Sequence, residues 1–126
     1  MMEICYEIKE VELSGGRKTL AIVFPDGFES LSDFLISDID DYSSKWYIEL
    51  IDKVTAGSSL SERFRGNACR LEIYSDTTHV INYLFENLED SHLYSFKCSL
   101  PTVLLKKLIQ EWTEQLNRFK TNNSSS

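Results

Sequence analysis

An apolar stripe near the end of the sequence constrains the fold most. Large apolar residues recur there at successive gaps of 3, 1, 3, 4 and 3, at positions Leu105, Leu108, Ile109, Trp112, Leu116 and Phe119. This spacing keeps one face of an α-helix apolar over about four turns. Ser99 and Pro101 mark the start of this helix, because proline is tolerated in a first turn. The stripe therefore predicts a C-terminal helix that packs on another layer of structure.

Alternating apolar and polar residues predict that this layer is a sheet. The expected strands cover residues 3–13, 18–24, 69–74, 78–86 and 93–98. Gly15 and Gly16 tolerate the positive φ of a hairpin turn between the first two strands. Residues 58–67 are polar and are predicted to form a loop. Since short turns join most of these strands, we expect mainly antiparallel pairing.

A second helix is predicted over residues 44–56. Trp46, Leu50 and Val54 recur every four residues, and Gly57 suits the left-handed residue that ends many helices. Ser43 or Ser44 is the expected N-terminal cap, and a short helix is predicted near 29–36. The prediction is an α+β fold with a mostly antiparallel sheet of about five strands and two main helices. Residues 1–121 would form a single domain, followed by a disordered tail over 122–126.

Charge and composition limit the possible partners. The 126 residues are 42% hydrophobic and carry a formal charge of −7, which suits a self-sufficient soluble core. Such acidity argues against nucleic acid and against an anionic membrane as partners. No signal peptide or membrane span is predicted. Cys5, Cys69 and Cys98 show no paired spacing, as is typical of reduced structural thiols, so we expect a cytoplasmic protein.

The sequence offers little for catalysis. His79 and His92 are the only histidines, and a lone histidine in a strand is usually structural. Neither His-x-x-x-His nor close cysteine pairs occur, so no metal site is predicted. Asp38, Asp40 and Asp41 lack the glycine and glutamate of a calcium loop. We therefore expect no enzyme activity, no metal and no cofactor.

The segment 26–42 is the most unusual part of the chain. It has six acidic residues and no lysine or arginine: Asp26, Glu29, Asp33, Asp38, Asp40 and Asp41. A local negative field would steer a basic partner. Tyr42 and Tyr47 flank the segment and are candidate anchors, because tyrosine is frequent in interfaces. Trp46 and Trp112 are expected in the core. The alternative for the segment is a solvated loop whose apolar residues lie under the sheet.

Residues 35–46 carry a resemblance to a known family. Asp38, Ile39, Asp41, Tyr42 and Trp46 resemble a segment of some bacterial immunity proteins of contact-dependent growth inhibition systems. In these proteins an Asp-Ile-x-Asp-Tyr-x-x-x-Trp run enters a helix. The resemblance implies a cytoplasmic protein that binds a toxin domain and blocks its active site. Such toxins are often nucleases with basic clefts.

The leading hypothesis is thus an immunity protein, monomeric when free, that binds a basic toxin domain one-to-one. Its expected toxin-binding residues are the acids of segment 26–42 together with Tyr42 and Tyr47. The alternative is a small acidic secretion chaperone, which shares the length and acidity but usually begins with a helix and forms a stable dimer.

Overall fold

The computed structural model describes residues 4–86 and 96–124. This part of the chain forms three helices, α1 (Glu29–Asp38), α2 (Asp41–Thr55) and α3 (Thr102–Ser124). Its strands are β1 (Glu7–Glu12), β2 (Lys18–Val23), β3 (Ser61–Arg65), β4 (Cys69–Tyr74), β5 (Thr77–Asn82) and β6 (Lys97–Pro101). All strand pairs are antiparallel, in a β1–β2 hairpin and a sheet of order β3–β4–β5–β6. The predicted α+β class is confirmed.

The core lies between one face of the four-stranded sheet and the helices. Along β4, Cys69, Leu71 and Ile73 point into it, while the alternate residues are partly exposed. Helix α3 contacts β5, β6 and α2. Its stripe is buried at Leu105, Leu108, Ile109 and Trp112. The C-terminal helix therefore packs on the sheet as its spacing predicts, and Trp112 is a core residue.

The β1–β2 hairpin packs against helix α1, which also contacts the four-stranded sheet. Residues pair one-to-one from Glu7 with Val23 to Glu12 with Lys18. Gly15 and Gly16 have φ of 82° and 80°, which allows the chain to turn between the strands. Ile22 is buried and joins the core, so the hairpin is anchored through β2, which contacts α1.

The predicted loop at 58–67 is wrong, because Ser61–Arg65 forms the edge strand β3. This strand pairs with β4 on one side only and has a single apolar residue, Phe64. A five-residue edge strand with so little apolar character gives a weak alternation signal.

Other element boundaries also differ from the predictions. The strand predicted over 78–86 ends at Asn82. Of the strand predicted over 93–98, residues 93–95 lie outside the described residues, and β6 continues to Pro101. Helix α1 runs to Asp38, two residues beyond the predicted end. Helix α2 begins at Asp41 rather than residue 44, because Asp40 is its N-terminal cap. No helix among the described residues is long and apolar enough to cross a membrane.

Candidate functional site at the start of helix α2

Asp38 is a structural anchor at the end of helix α1. Its side chain is 7% exposed, and its carboxylate accepts three backbone hydrogen bonds. Oδ1 accepts from the amides of Asn67 and Ala68 at 2.7 and 3.0 Å, and Oδ2 accepts from Cys69 at 3.0 Å. Burial raises the pKa of this carboxyl, and the three amide bonds act against that rise. The carboxylate thus ties α1 to the turn between β3 and β4.

Asp40 caps helix α2. Its Oδ1 accepts from the amides of Tyr42 and Ser43 at 2.9 and 2.8 Å. In return, Ser43 Oγ accepts from the Asp40 amide at 2.9 Å and donates to the carbonyl oxygen of Asp38 at 2.7 Å. The prediction of Ser43 or Ser44 as the cap is therefore wrong: Ser43 is the third helical residue of a capping box, so the helix starts earlier. The amide of Ser43 and the other cap bonds lower the pKa of Asp40.

The other acids of segment 26–42 are distributed along helix α1 and beyond it. Asp33 accepts a hydrogen bond from Asn82 Nδ2 at 2.9 Å, and burial raises its pKa. Glu29 accepts from the Gly27 amide at 3.1 Å. Asp26 is exposed. Asp41 lies 3.7 Å from Lys120 Nζ on helix α3.

These acids do not form one patch. Helix α1 has ten residues and so separates the acids at its start from those at its end by roughly 15 Å. Asp26 and Glu29 belong to the first group, Asp33 lies near the middle of the helix, and Asp40 and Asp41 follow its end. Most of the six carboxylates have a partner within the fold, which explains how the segment tolerates its charge without lysine or arginine of its own.

The aromatic candidates differ sharply in exposure. Tyr42 is 89% exposed and Tyr47 is 1% exposed. The Tyr47 ring packs edge-on against Phe34 and Phe64, at centroid distances of 5.1 and 5.4 Å, so it is a core residue and not a surface anchor of the free protein. The prediction that Trp46 belongs to the core is wrong, because it is 41% exposed. Its ring lies edge-on to Phe64 at 4.0 Å.

Exposed charged and aromatic side chains therefore meet at the start of α2. We call this region the α2 surface, defined by the exposed residues Asp40, Asp41, Tyr42, Lys45 and Trp46. The remaining expected site residues fall outside it. Asp38 and Tyr47 are buried, Asp26 and Glu29 lie at the other end of α1, and Asp33 lies near the middle of that helix.

A cleft of about 280 Å³ adjoins the α2 surface. One wall comes from α2, through Ser43, Trp46 and Tyr47, and the other from Phe64 and the turn that follows it. Tyr47 lines the cleft, and its Oη is shielded from solvent and has no hydrogen-bond partner among the described residues. Burial, followed by the charge of Asp38, raises the pKa of Tyr47, so the hydroxyl remains protonated. Sequence reasoning missed this cleft, whose only signal was the Gly66–Asn67 turn.

Gly66 is required where the cleft meets the turn. A Cβ at this position would lie 2.8 Å from both Asp38 Cγ and Tyr47 Oη, which is too close for any side chain. Tyr83 Oη lies 2.6 and 2.8 Å from the carbonyl oxygens of Gly66 and Asn67 and donates to this pair. The turn is thus fixed on one side by Asp38 and on the other by Tyr83.

Of the two histidines, which the sequence predicts to be structural, His79 lies among the described residues. His79 Nδ1 lies 2.5 Å from Ser99 Oγ, and these residues are directly paired across β5 and β6. The contact is what cross-strand neighbours produce. His92 lies outside the described residues. In the described part of the chain, no group of three or more histidine, cysteine or acidic side chains is arranged to hold a metal ion.

Comparison with known proteins gives one informative similarity. The chain is 29% identical over 101 residues to a Bacillus cereus protein named "Immunity protein", and the match spans 80% of this chain and 81% of the relative. No family model matches the chain. No solved structure matches it.

Replacing Asp40 by alanine tests the helix cap. We expect a loss of about 0.5–2 kcal/mol in the free energy of unfolding, because two amides of the first turn lose their acceptor. Urea denaturation measures this loss. Glu49→Ala is the matched control, since Glu49 is an exposed acid in the middle of the same helix, and it should change stability by less than about 0.5 kcal/mol. Equal losses in the two variants would contradict the capping role.

Proposed function

We propose that this chain is an immunity protein that binds and neutralises a cognate toxin domain. The observation that carries the proposal is the similarity to the Bacillus cereus immunity protein, which extends over about four-fifths of both chains. That extent covers most of the folded part of the chain rather than one motif. The protein would act by covering the active site of the toxin, without catalysis of its own.

The α2 surface is the binding face that we propose. Tyr42 projects almost fully into solvent and Trp46 is partly exposed beside it, at 89% and 41% respectively. Tyrosine and tryptophan are the residues most enriched among those that dominate binding energy. Asp40 and Asp41 flank them and supply the negative charge that orients a basic partner during encounter.

The partner class follows from charge. A net charge of −7 complements a protein whose active site binds phosphate, and a nuclease has such a basic cleft. The run from Asp38 to Trp46 resembles a segment of immunity proteins of contact-dependent inhibition, so the proposed toxin is a nuclease delivered by a neighbouring cell. We propose a monomeric cytoplasmic protein that binds this toxin one-to-one.

Co-expression tests the proposed function. The C-terminal domain of a large secreted protein encoded beside this chain is expressed alone, with this chain, and with an unrelated acidic protein of similar size. We expect growth to stop without this chain and to resume with it, and the two proteins to purify as a one-to-one complex. Continued growth arrest despite soluble expression of this chain would overturn the proposal. A stable homodimer that binds an unfolded partner would instead match a secretion chaperone.

A further inference from the structure

The cleft beside the α2 surface is lined by a residue whose buried polar group is unsatisfied. Tyr47 is 1% exposed, and its hydroxyl has no hydrogen-bond partner among the described residues. A buried hydroxyl without a partner costs free energy, about 1–3 kcal/mol in typical proteins. Such a group is therefore a candidate contact for something that enters the cleft.

The cleft is also electronegative. The Asp38 carboxylate lines the cleft, and both Asp38 Oδ2 and Tyr47 Oη lie within 3 Å of the position that a Cβ on Gly66 would occupy. Oδ2 accepts one hydrogen bond, from Cys69, which leaves acceptor capacity on that atom. A cationic hydrogen-bond donor is the chemistry that this cleft favours.

The wall of the cleft suits a planar cation. Trp46 and Phe64 are both partly exposed and form an aromatic corner, with ring centroids 4.0 Å apart. Aromatic faces attract guanidinium groups. In the described part of the chain, Arg65 is the one cation that lines the cleft. It is engaged elsewhere, since its guanidinium carbon lies 4.0 Å from the centre of the Tyr83 ring.

We infer that this cleft receives an arginine side chain of the partner protein, an inference that rests on the proposed function. The guanidinium stacks against Trp46 or Phe64 and, on a small opening of the cleft, donates to Tyr47 Oη and the Asp38 carboxylate, which are buried in the free protein. Arginine fits better than lysine because its planar group stacks on rings while it donates several hydrogen bonds. The volume of about 280 Å³ is below the roughly 300–1,000 Å³ of most small-molecule pockets, which suits one long side chain.

A small probe tests the cleft without the toxin. Nα-acetyl-arginine methylamide is titrated into the isotope-labelled protein, and the amide signals of Gly66 and Asn67 and the indole signal of Trp46 are followed by NMR. Nα-acetyl-citrulline methylamide, in which a neutral urea replaces the guanidinium, is the control. We expect saturable shifts with the arginine probe and roughly 5-fold weaker binding of the citrulline probe. Equal binding of both probes, or no saturable shift with either, would overturn the arginine assignment.

Tyr47→Phe tests the same contact in the complex. Since the hydroxyl has no hydrogen-bond partner among residues 4–86 and 96–124, its removal should leave the thermal midpoint unchanged or raise it. We expect the affinity for the co-purified toxin to fall about 10-fold, because a hydrogen bond to a charged group is lost. Tyr74→Phe, at the end of β4 away from the cleft, is the matched control and should bind normally.

The two experiments separate the cleft assignment from the proposed function. Toxin neutralisation with unchanged affinity of the Tyr47→Phe variant would overturn the arginine cleft and leave the immunity function in place. Specific binding of the arginine probe without neutralisation of any adjacent toxin would support the cleft and overturn the function.

Discussion

Replacing Asp38 by alanine is expected to lower the free energy of unfolding by about 3 kcal/mol. The carboxylate accepts hydrogen bonds from three backbone amides in the turn between β3 and β4. Ala68 and Cys69 are buried, so water cannot easily replace the lost acceptor at their amides, and each such loss costs about 1–3 kcal/mol. Burial penalises the charged carboxylate, so its removal recovers part of this loss. Urea denaturation of the purified variant gives the value.

Two further variants sharpen this expectation. Asp38→Asn keeps one acceptor oxygen but places an amide group towards a backbone donor, so it should lose most of the same stability. Asp33→Asn is the control, because Asp33 is also an acid of helix α1 and accepts from a side-chain amide rather than from the turn. It should lose less than Asp38→Ala. Since domains are usually stable by only about 5–15 kcal/mol, a 3 kcal/mol loss is readily measured. An Asp38→Ala variant as stable as the parent would contradict the anchoring role.

Local periodicity explains which parts of the fold are predictable from the sequence. The stripe from Leu105 to Trp112 specifies a helix and its buried face at once, and it packs as predicted. The β1–β2 hairpin follows from alternating residues and two glycines at its turn. In both cases the residues that define the element are close in sequence, so the local sequence pattern is enough to predict the element.

The role of Asp38 could not be predicted in this way. Its partners are the amides of residues 67–69, about thirty positions further along the chain. The composition of segment 26–42 does not distinguish Asp38 from the other acids in it. Only the packing of α1 against β4 reveals that the carboxylate is used inside the protein. The same packing turns Tyr47 inwards and leaves Tyr42 outside, although both are tyrosines near the start of one helix.

Some acids of segment 26–42 therefore stabilise the fold, and others are available at the surface. Asp38 and Asp40 complete the end of α1 and the start of α2, and Asp33 bonds to Asn82. A charge reversal at Asp40 would consequently remove a helix cap together with any contact to a partner, and its effect on binding would be ambiguous. Tests of the proposed interface are better directed at a side chain with no structural role.

Tyr42 is such a side chain, and replacing it by alanine is expected to weaken toxin binding at least about 30-fold. Residues that dominate interfaces typically contribute 2 kcal/mol or more to affinity, and tyrosine is prominent among them. The side chain is 89% exposed in the free protein, so the same substitution should change stability by no more than about 0.5 kcal/mol. Titration calorimetry with the purified toxin domain measures the affinity, and urea denaturation measures the stability. The combination of a large binding loss with an unchanged fold is what distinguishes an interface residue from a structural one.

Leu60→Ala is the matched control for this experiment. Leu60 is 95% exposed and precedes β3 at the end of that strand away from the cleft, where Ser61 pairs with Tyr74. An exposed apolar residue outside the interface should change the affinity less than about 2-fold. If Tyr42→Ala binds like the parent while Leu60→Ala binds weakly, the toxin lies on the opposite end of the sheet and the α2 surface is not the binding face. If both variants bind normally, neither end of β3 lies at the centre of the interface, and the neutralising surface belongs to another part of the molecule.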